Sequence, residues 1–167
     1  MVRTFDEELS GRVAFLMDCG EAGDGKLLDD CVRATGSLMF AALDAGHHVE
    51  WIDLHRLDPL LIPPFADGHE ILDRLARVEA APGTLTEERL HAALEKISKK
   101  CSINLVLTTC NPAALAFLRQ LQMQHRVVSL YLPQHGKAPA DLEGIARFAY
   151  TDKAILDGTA LTASHKG

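Results

Sequence analysis

The chain has no basic cluster: 17 Lys and Arg against 23 Asp and Glu leave a formal net charge of −6, spread along its length. Phosphate backbones are bound through clustered Lys and Arg, so nucleic acid is not an expected partner. Long apolar runs are also missing. Leu38–Leu43 is among the longest, far short of the roughly 20 residues that span a bilayer. No signal-peptide pattern is visible, because Arg3, Asp6, Glu7 and Glu8 interrupt the amino terminus. The four cysteines, Cys19, Cys31, Cys101 and Cys110, have no CxxC or CxxH spacing, which argues against structural zinc and a redox pair and leaves reduced thiols as the expectation. Repeats, low-complexity tracts and linker-like stretches are lacking as well. With 47% apolar and 24% charged residues over 167 positions, one globular domain is expected.

What is present is organised around Arg12 to Gly25, read as RVAFLMDCGEAGDG. Val13 to Met17 is too short for a helix and does not alternate with polar residues, the pattern of a strand buried on both faces. It ends in Asp18, loosens into Gly20, Gly23 and Gly25, and passes into a helical apolar pattern over Leu27–Ala45 that Gly46 should stop. An acid at the carboxyl end of a strand, followed by a Gly-rich loop and a helix, lies where open α/β sheets place ligands. Small residues Gly36 and Ser37 within that helix should let it approach the sheet closely.

Further along, His48–His55 (HVEWIDLH) alternates like a strand with one face less buried. Asp58–Pro64, with three prolines, must be a loop or an extended segment. Glu70–Val78 has helical spacing after an Asp67 cap, and a second helix should follow Thr86. Ile103–Thr109 and Arg126–Leu132 read as strands, with a helix opening at Asn111-Pro112 between them. A short helix is expected at Asp141–Ile145, a last strand near Arg147–Thr151, and an edge strand or arm at Val2–Asp6. Strands alternating with helices predict an α/β fold: three layers, doubly wound, a mostly parallel sheet with helices on both faces.

Motif chemistry is sparse. Gly20-Glu21-Ala22-Gly23-Asp24-Gly25 is not G-x-G-x-x-G, its two acids would repel a pyrophosphate, and Gly25-Lys26 is followed by Leu27 rather than the Ser or Thr of a P-loop. Cys19 and Cys110 should sit near each other at the carboxyl edge of adjacent strands, near helix starts that lower a thiol pKa, but no G-x-S-x-G element and no local histidine accompany them. The scattered histidines (His47, His48, His55, His69, His91, His125, His135) read as solvated surface residues, and Trp51 as packing. The apolar Leu60–Phe65 segment suits either a partner-docking patch or a loop tucked over the core.

Two segments resemble a known family. Val2-Arg3-Thr4-Phe5-Asp6-Glu7-Glu8, about ten residues before an apolar strand ending in Asp, is similar to a V-R-E-[FY]-x-x-E lead-in; Arg33–Leu38 followed by Ala41–Gly46 is similar to an R-A-A-x-S-L … A-L-x-x-G helix. Pro63, Pro64 and Ile71–Val78 fit the next segment. These features are those of a bacterial family of unknown function with a von Willebrand factor type A-like domain, often encoded beside MoxR-type ATPases. The resemblance implies a von Willebrand factor type A-like, Rossmann-like fold over residues 1–167. It also implies that the chain is a soluble carboxyl-terminal fragment of a membrane-anchored protein, on the cytoplasmic side.

Domains of this fold often bind a divalent metal through D-x-S-x-S after the first strand, with a Thr and an Asp from later loops. Here Asp18 keeps the first position, but Gly20 and Ala22 stand at the two Ser positions and Cys110 where the later Asp is expected. Glu21, Asp24, Thr108 and Thr109 are the remaining oxygen donors, against the several that a hard cation demands. The expectation is therefore no metal and no cofactor, with Asp18 capping the loop or the helix start. The expected function is a non-enzymatic protein-interaction domain with a degenerate metal-ion-dependent adhesion site. Its partner would be a MoxR-type ATPase or a membrane or periplasmic assembly factor. The expected binding surface is Asp18, Cys19, Gly20, Glu21, Asp24, Thr109 and Cys110, flanked by Leu57–Asp67. The alternatives are a small-molecule-binding or thiol-dependent enzyme at the same carboxyl edge, or dimerisation through an exposed strand edge.

Overall fold

A computed structural model describes residues 11–18, 25–81, 83–132 and 147–150. Its centre is a six-stranded sheet formed by β1 (Arg12–Met17), β2 (His48–Asp53), β3 (Pro59–Ile62), β4 (Ser102–Val106), β5 (Val128–Leu132) and β6 (Arg147–Tyr150). The strand order is β3-β2-β1-β4-β5-β6. Every neighbouring pair is parallel except β2 with β3. Because β1 is central, all residues from Val13 to Met17 are buried, as an apolar run without alternation requires.

Among the described residues four helices connect the strands: α1 (Gly25–Asp44), α2 (His69–Ala76), α3 (Glu87–Lys96) and α4 (Pro112–Met123). Alternate β1 residues point to opposite faces and divide the core in two. Val13, Phe15 and Met17 pack with Cys31, Met39 and Leu43 of α1 and Ile71 and Leu75 of α2. Ala14 and Leu16 pack with Leu90 and Ala93 of α3 and Phe117, Leu118 and Leu121 of α4. Helices therefore cover both faces, and the fold is the expected three-layer, doubly wound α/β class. Each of these large side chains contributes about 1.5–3 kcal/mol on burial.

The helix boundaries follow local chemistry. Thr86 accepts from the Arg89 backbone N–H at 3.4 Å and Asn111 from that of Ala114 at 2.9 Å, with Pro112 opening α4. At the end of α1, Gly46 takes φ 89°, and the N–H groups of Gly46 and His47 donate to the carbonyls of Leu43 and Ala42, both at 3.0 Å. This is the left-handed glycine stop that the sequence signalled. Asp67 does cap, but one residue removed: its carboxylate accepts from the His69 N–H at 3.0 Å, while left-handed Gly68 occupies the cap position.

Several expectations need correction. β2 is buried on both faces: Glu50 and Asp53 are 4% and 3% exposed. Glu50 is satisfied internally, accepting from the Ser98 backbone N–H at 3.2 Å and the Ser98 hydroxyl at 3.0 Å. Of the two forms expected for the proline-rich segment the extended one is found, and it pairs as the antiparallel edge strand β3, with Pro59 opening it and Pro63 just past its end. Gly36 faces α2 rather than the sheet, since a Cβ there would stand 3.2 Å from Leu75 Cδ1. Within Leu60–Phe65 both expectations hold in part: Ile62 is buried, whereas Leu61 and Phe65 are 62% and 75% exposed. The expected arm at Val2–Asp6 and helix at Asp141–Ile145 lie outside the described residues.

Candidate functional site

Parallel pairing brings the carboxyl ends of β1, β2 and β4 level, because Met17 is in register with both Asp53 and Val106. The ladder continues one residue further: the Asp18 N–H donates to Val106 O and the Leu54 N–H to Met17 O, each at 2.9 Å. Three polar side chains thereby meet just beyond the apolar strands. These are Asp18 after β1, His55 after β2 and Thr108 after β4.

Asp18 is the hub. His55 Nε2 lies 2.8 Å from its Oδ1, and the Thr108 hydroxyl donates to its Oδ2 at 3.1 Å. The side chains of His55 and Asp18 are 4% and 7% exposed. Toward an ionised carboxylate the Nε2–H form of the imidazole is the donor. A carboxylate this deeply buried is tolerable only when hydrogen-bonded or paired, and here both of its oxygens are engaged by neighbouring strands. The Asp18 side chain thus joins a cluster across the ends of three strands, while the loop it was expected to cap lies outside the described residues.

His55 is itself held in place by the loop it belongs to. Asp53 Oδ1 accepts from the backbone N–H groups of His55 at 2.8 Å and Arg56 at 3.3 Å, while Arg56 Nη1 donates to Asp53 Oδ2 at 2.7 Å. Arg56 Nη2 reaches the Glu79 carbonyl at 3.1 Å, and Arg89 donates to the His55 carbonyl. The chain then turns through Leu57, which adopts φ 59°. These contacts fix the imidazole from behind.

Of the residues expected at this edge, Asp18, Thr108, Thr109 and Cys110 are brought to the same end of the sheet. Thr109 is exposed and Cys110 half-buried. Cys19, Gly20, Glu21, Ala22 and Asp24 lie outside the described residues. His55 was expected on the surface and is instead buried, and His91 packs edge-on against Phe117 at 5.4 Å. His48, His69 and His125 are exposed, as expected. The signal for the missed cluster was the placement of polar residues: Asp18, Asp53 with His55, and Thr108 each follow an apolar stretch at a strand's carboxyl end.

Burial raises the Cys110 thiol pKa, away from the range of a reactive thiolate. Among the described residues, no group of three or more His, Cys, Asp or Glu is arranged to hold a metal ion. A cation bound through Asp18 or Thr108 would compete with the hydrogen bond that joins them.

No family model matches the chain, and no curated protein matches it. Among solved structures it is similar to one described as the minimal Ste5 VWA domain subject to autoinhibition by the Ste5 PH domain. The likeness has a TM-score of 0.48 and 12% identity, over 96% of this chain and 93% of that one. No helix among the described residues is long and apolar enough to cross a membrane.

Proposed function

We propose that this chain is a non-enzymatic protein-interaction domain of von Willebrand factor type A-like fold, binding through the carboxyl edge of its sheet without a metal ion. The supporting observation is the engagement of both Asp18 oxygens by His55 and Thr108. With Gly20 and Ala22 lacking side-chain oxygens and Cys110 in place of a carboxylate, the imidazole N–H and the threonine hydroxyl do for the buried charge what a cation would otherwise do. The exposed part of this edge, Thr109 with Arg56 and Asp58, is the proposed contact surface. Because β3 runs antiparallel to β2, the rest of the expected Leu57–Asp67 segment is carried to the opposite, amino edge, where Phe65 lies against Gly46. The sequence resemblance makes a MoxR-type ATPase the partner class, and a membrane-anchored parent chain belongs to the same proposal.

A thiol enzyme at this edge is the weaker reading. Thr108 faces the carboxylate rather than the imidazole, so it is not placed as a nucleophile on a histidine base, and the Cys110 thiol is held protonated by burial. The test has two arms. Mg²⁺, Mn²⁺ and Ca²⁺ are titrated calorimetrically into the chelator-treated domain, and binding to a MoxR-type ATPase from the same genome is measured with and without chelator. The expected result is no metal heat and chelator-independent ATPase binding, weakened at least tenfold by Thr109→Arg. Micromolar metal binding lost in Asp18→Ala would overturn the metal-free reading, and absence of any ATPase complex would overturn the partner class.

A further inference from the structure

Beside the Asp18 cluster, and sharing Asp53 with its supporting loop, a cavity of about 290 Å³ opens between the end of β2 and α2. Trp51, Asp53, Arg56, Asp58, Arg74 and Arg77 line it. Three guanidinium groups thus face two carboxylates in a space at the lower limit of small-molecule sites, suited to one or two side chains rather than a cofactor.

The charges in this pocket differ in how firmly they are held. Asp53 is buried and tied to Arg56 at 2.7 Å, so that pair forms a fixed wall. Arg74 stacks over the Trp51 ring, 5.7 Å from its centroid, and reaches Asp58 at 3.3 Å, where the Asp58 side chain is 74% exposed. Arg77 meets Asp73 at 3.3 Å with both side chains exposed. Exposed pairs of this kind are weakly held, so Arg74 and Arg77 can exchange their present partners for a better-enclosed acceptor. Trp51 itself is 2% exposed, so it lends the wall rigidity rather than contact area.

We infer that this pocket receives an acidic side chain, Glu or Asp, presented by a partner protein. The carboxylate lies against Arg74 and Arg77, and the aliphatic stem packs against Val78, which also lines the cavity. This deepens the interaction-domain reading and rests on it. Asp53 and Asp58 in the wall select a singly charged carboxylate over a doubly charged phosphate, which they repel more strongly. The guanidinium stacked on the indole is a preorganised fork, the geometry that favours carboxylate recognition.

Trp51 is the sole tryptophan, so its fluorescence and its single indole N–H resonance report on this pocket alone. The full chain is titrated with an end-blocked hexaglutamate peptide, a hexaglutamine peptide and inorganic phosphate. The expected result is a saturable shift of the indole signal with hexaglutamate, none with hexaglutamine, and at least tenfold weaker binding in Arg74→Gln and Arg77→Gln. Lys99→Gln, an exposed charge elsewhere, should leave it unchanged. Silence with hexaglutamate, or a response that survives both arginine changes, would overturn the proposal. Phosphate binding as tight as the peptide would overturn the choice of a carboxylate. If the ATPase complex forms and is indifferent to Arg74→Gln, the pocket proposal fails while the interaction-domain reading stands.

Discussion

The Asp18–His55 pair is the strongest energetic claim the structure makes, and a double-mutant cycle tests it. Asp18→Ala removes the acceptor of the His55 N–H and of the Thr108 hydroxyl. Each buried donor left without a partner costs about 1–3 kcal/mol, so the variant should lose about 2–6 kcal/mol. His55→Ala leaves the carboxylate with Thr108 but without its shortest described partner. Removing the partner of a buried charge in this way costs about 3 kcal/mol or more. In the double variant neither the His55 donor nor the bare charge remains, so its loss should fall short of the sum by those two contributions, about 4 kcal/mol or more. Asp18→Asn should be milder than Asp18→Ala, because the amide oxygen still accepts and its NH₂ can face an imidazole protonated at Nδ1.

Urea unfolding followed by far-ultraviolet circular dichroism and by the fluorescence of Trp51 gives the four stabilities, provided the two signals coincide. Trp51 lies in β2 two residues before Asp53, so both probes see the sheet. Losses that add within about 0.5 kcal/mol would refute the coupling. Metal-free binding at this edge would then lose its structural support, because Asp18 would not depend on His55.

Two further predictions concern the frame around the site. Gly68→Ala places a Cβ 2.1 Å from Phe40 Cε1 at φ 82°, whereas Gly83→Ala at φ 97° meets nothing within 4 Å. Gly83→Ala should cost about 1–2 kcal/mol of backbone strain, and Gly68→Ala that plus a further 1–3 kcal/mol of overpacking; equal shifts in Tm would show that Phe40 yields freely. The Cys31 thiol is pushed up to about 12, by burial first and then by the charges of Asp18 and Asp30. A raised folded-state value means this stabilising contribution is complete below the unfolded value of 9.0 and is lost as pH rises through the folded one. Between about pH 9 and 11, under reducing conditions, wild-type stability should therefore fall faster than that of Cys31→Ala by up to about 1.4 kcal/mol per pH unit. Parallel slopes in urea unfolding would contradict this.

The fold was legible because its signals are local. The unbroken run Val13–Met17, the Thr86 and Asn111 caps and the Gly46 stop each act within a few residues, and each appears where the pattern placed it. Glu50 shows where local reading ends. Its alternation suggested a wetter face, but Ser98, 48 positions away, supplies two donors that let the carboxylate stay buried. The β3 pairing was hidden for a related reason. Proline is disfavoured inside a sheet, but an edge strand that begins at one proline and ends before another satisfies the ladder.

The candidate site was half legible, for a reason set by register. Asp18 announces itself as an acid closing an apolar strand, and any reader of open α/β sheets would place it at the ligand edge. Nothing near it in sequence names its partner, because His55 lies 37 residues away and meets it only through the parallel pairing of β1 with β2. Met17 opposite Asp53 fixes that meeting: it puts Asp18 level with Leu54 and within reach of the residue after it. The Asp53 carboxylate then holds the backbone of His55 and Arg56 together, so one buried acid orients the imidazole behind Asp18 and also the guanidinium at the wall of the neighbouring pocket. Asp53 is therefore the structural hinge between the two proposals, and a change there should disturb both the buried cluster and the acidic-side-chain pocket. A change at Arg74 should disturb only the pocket.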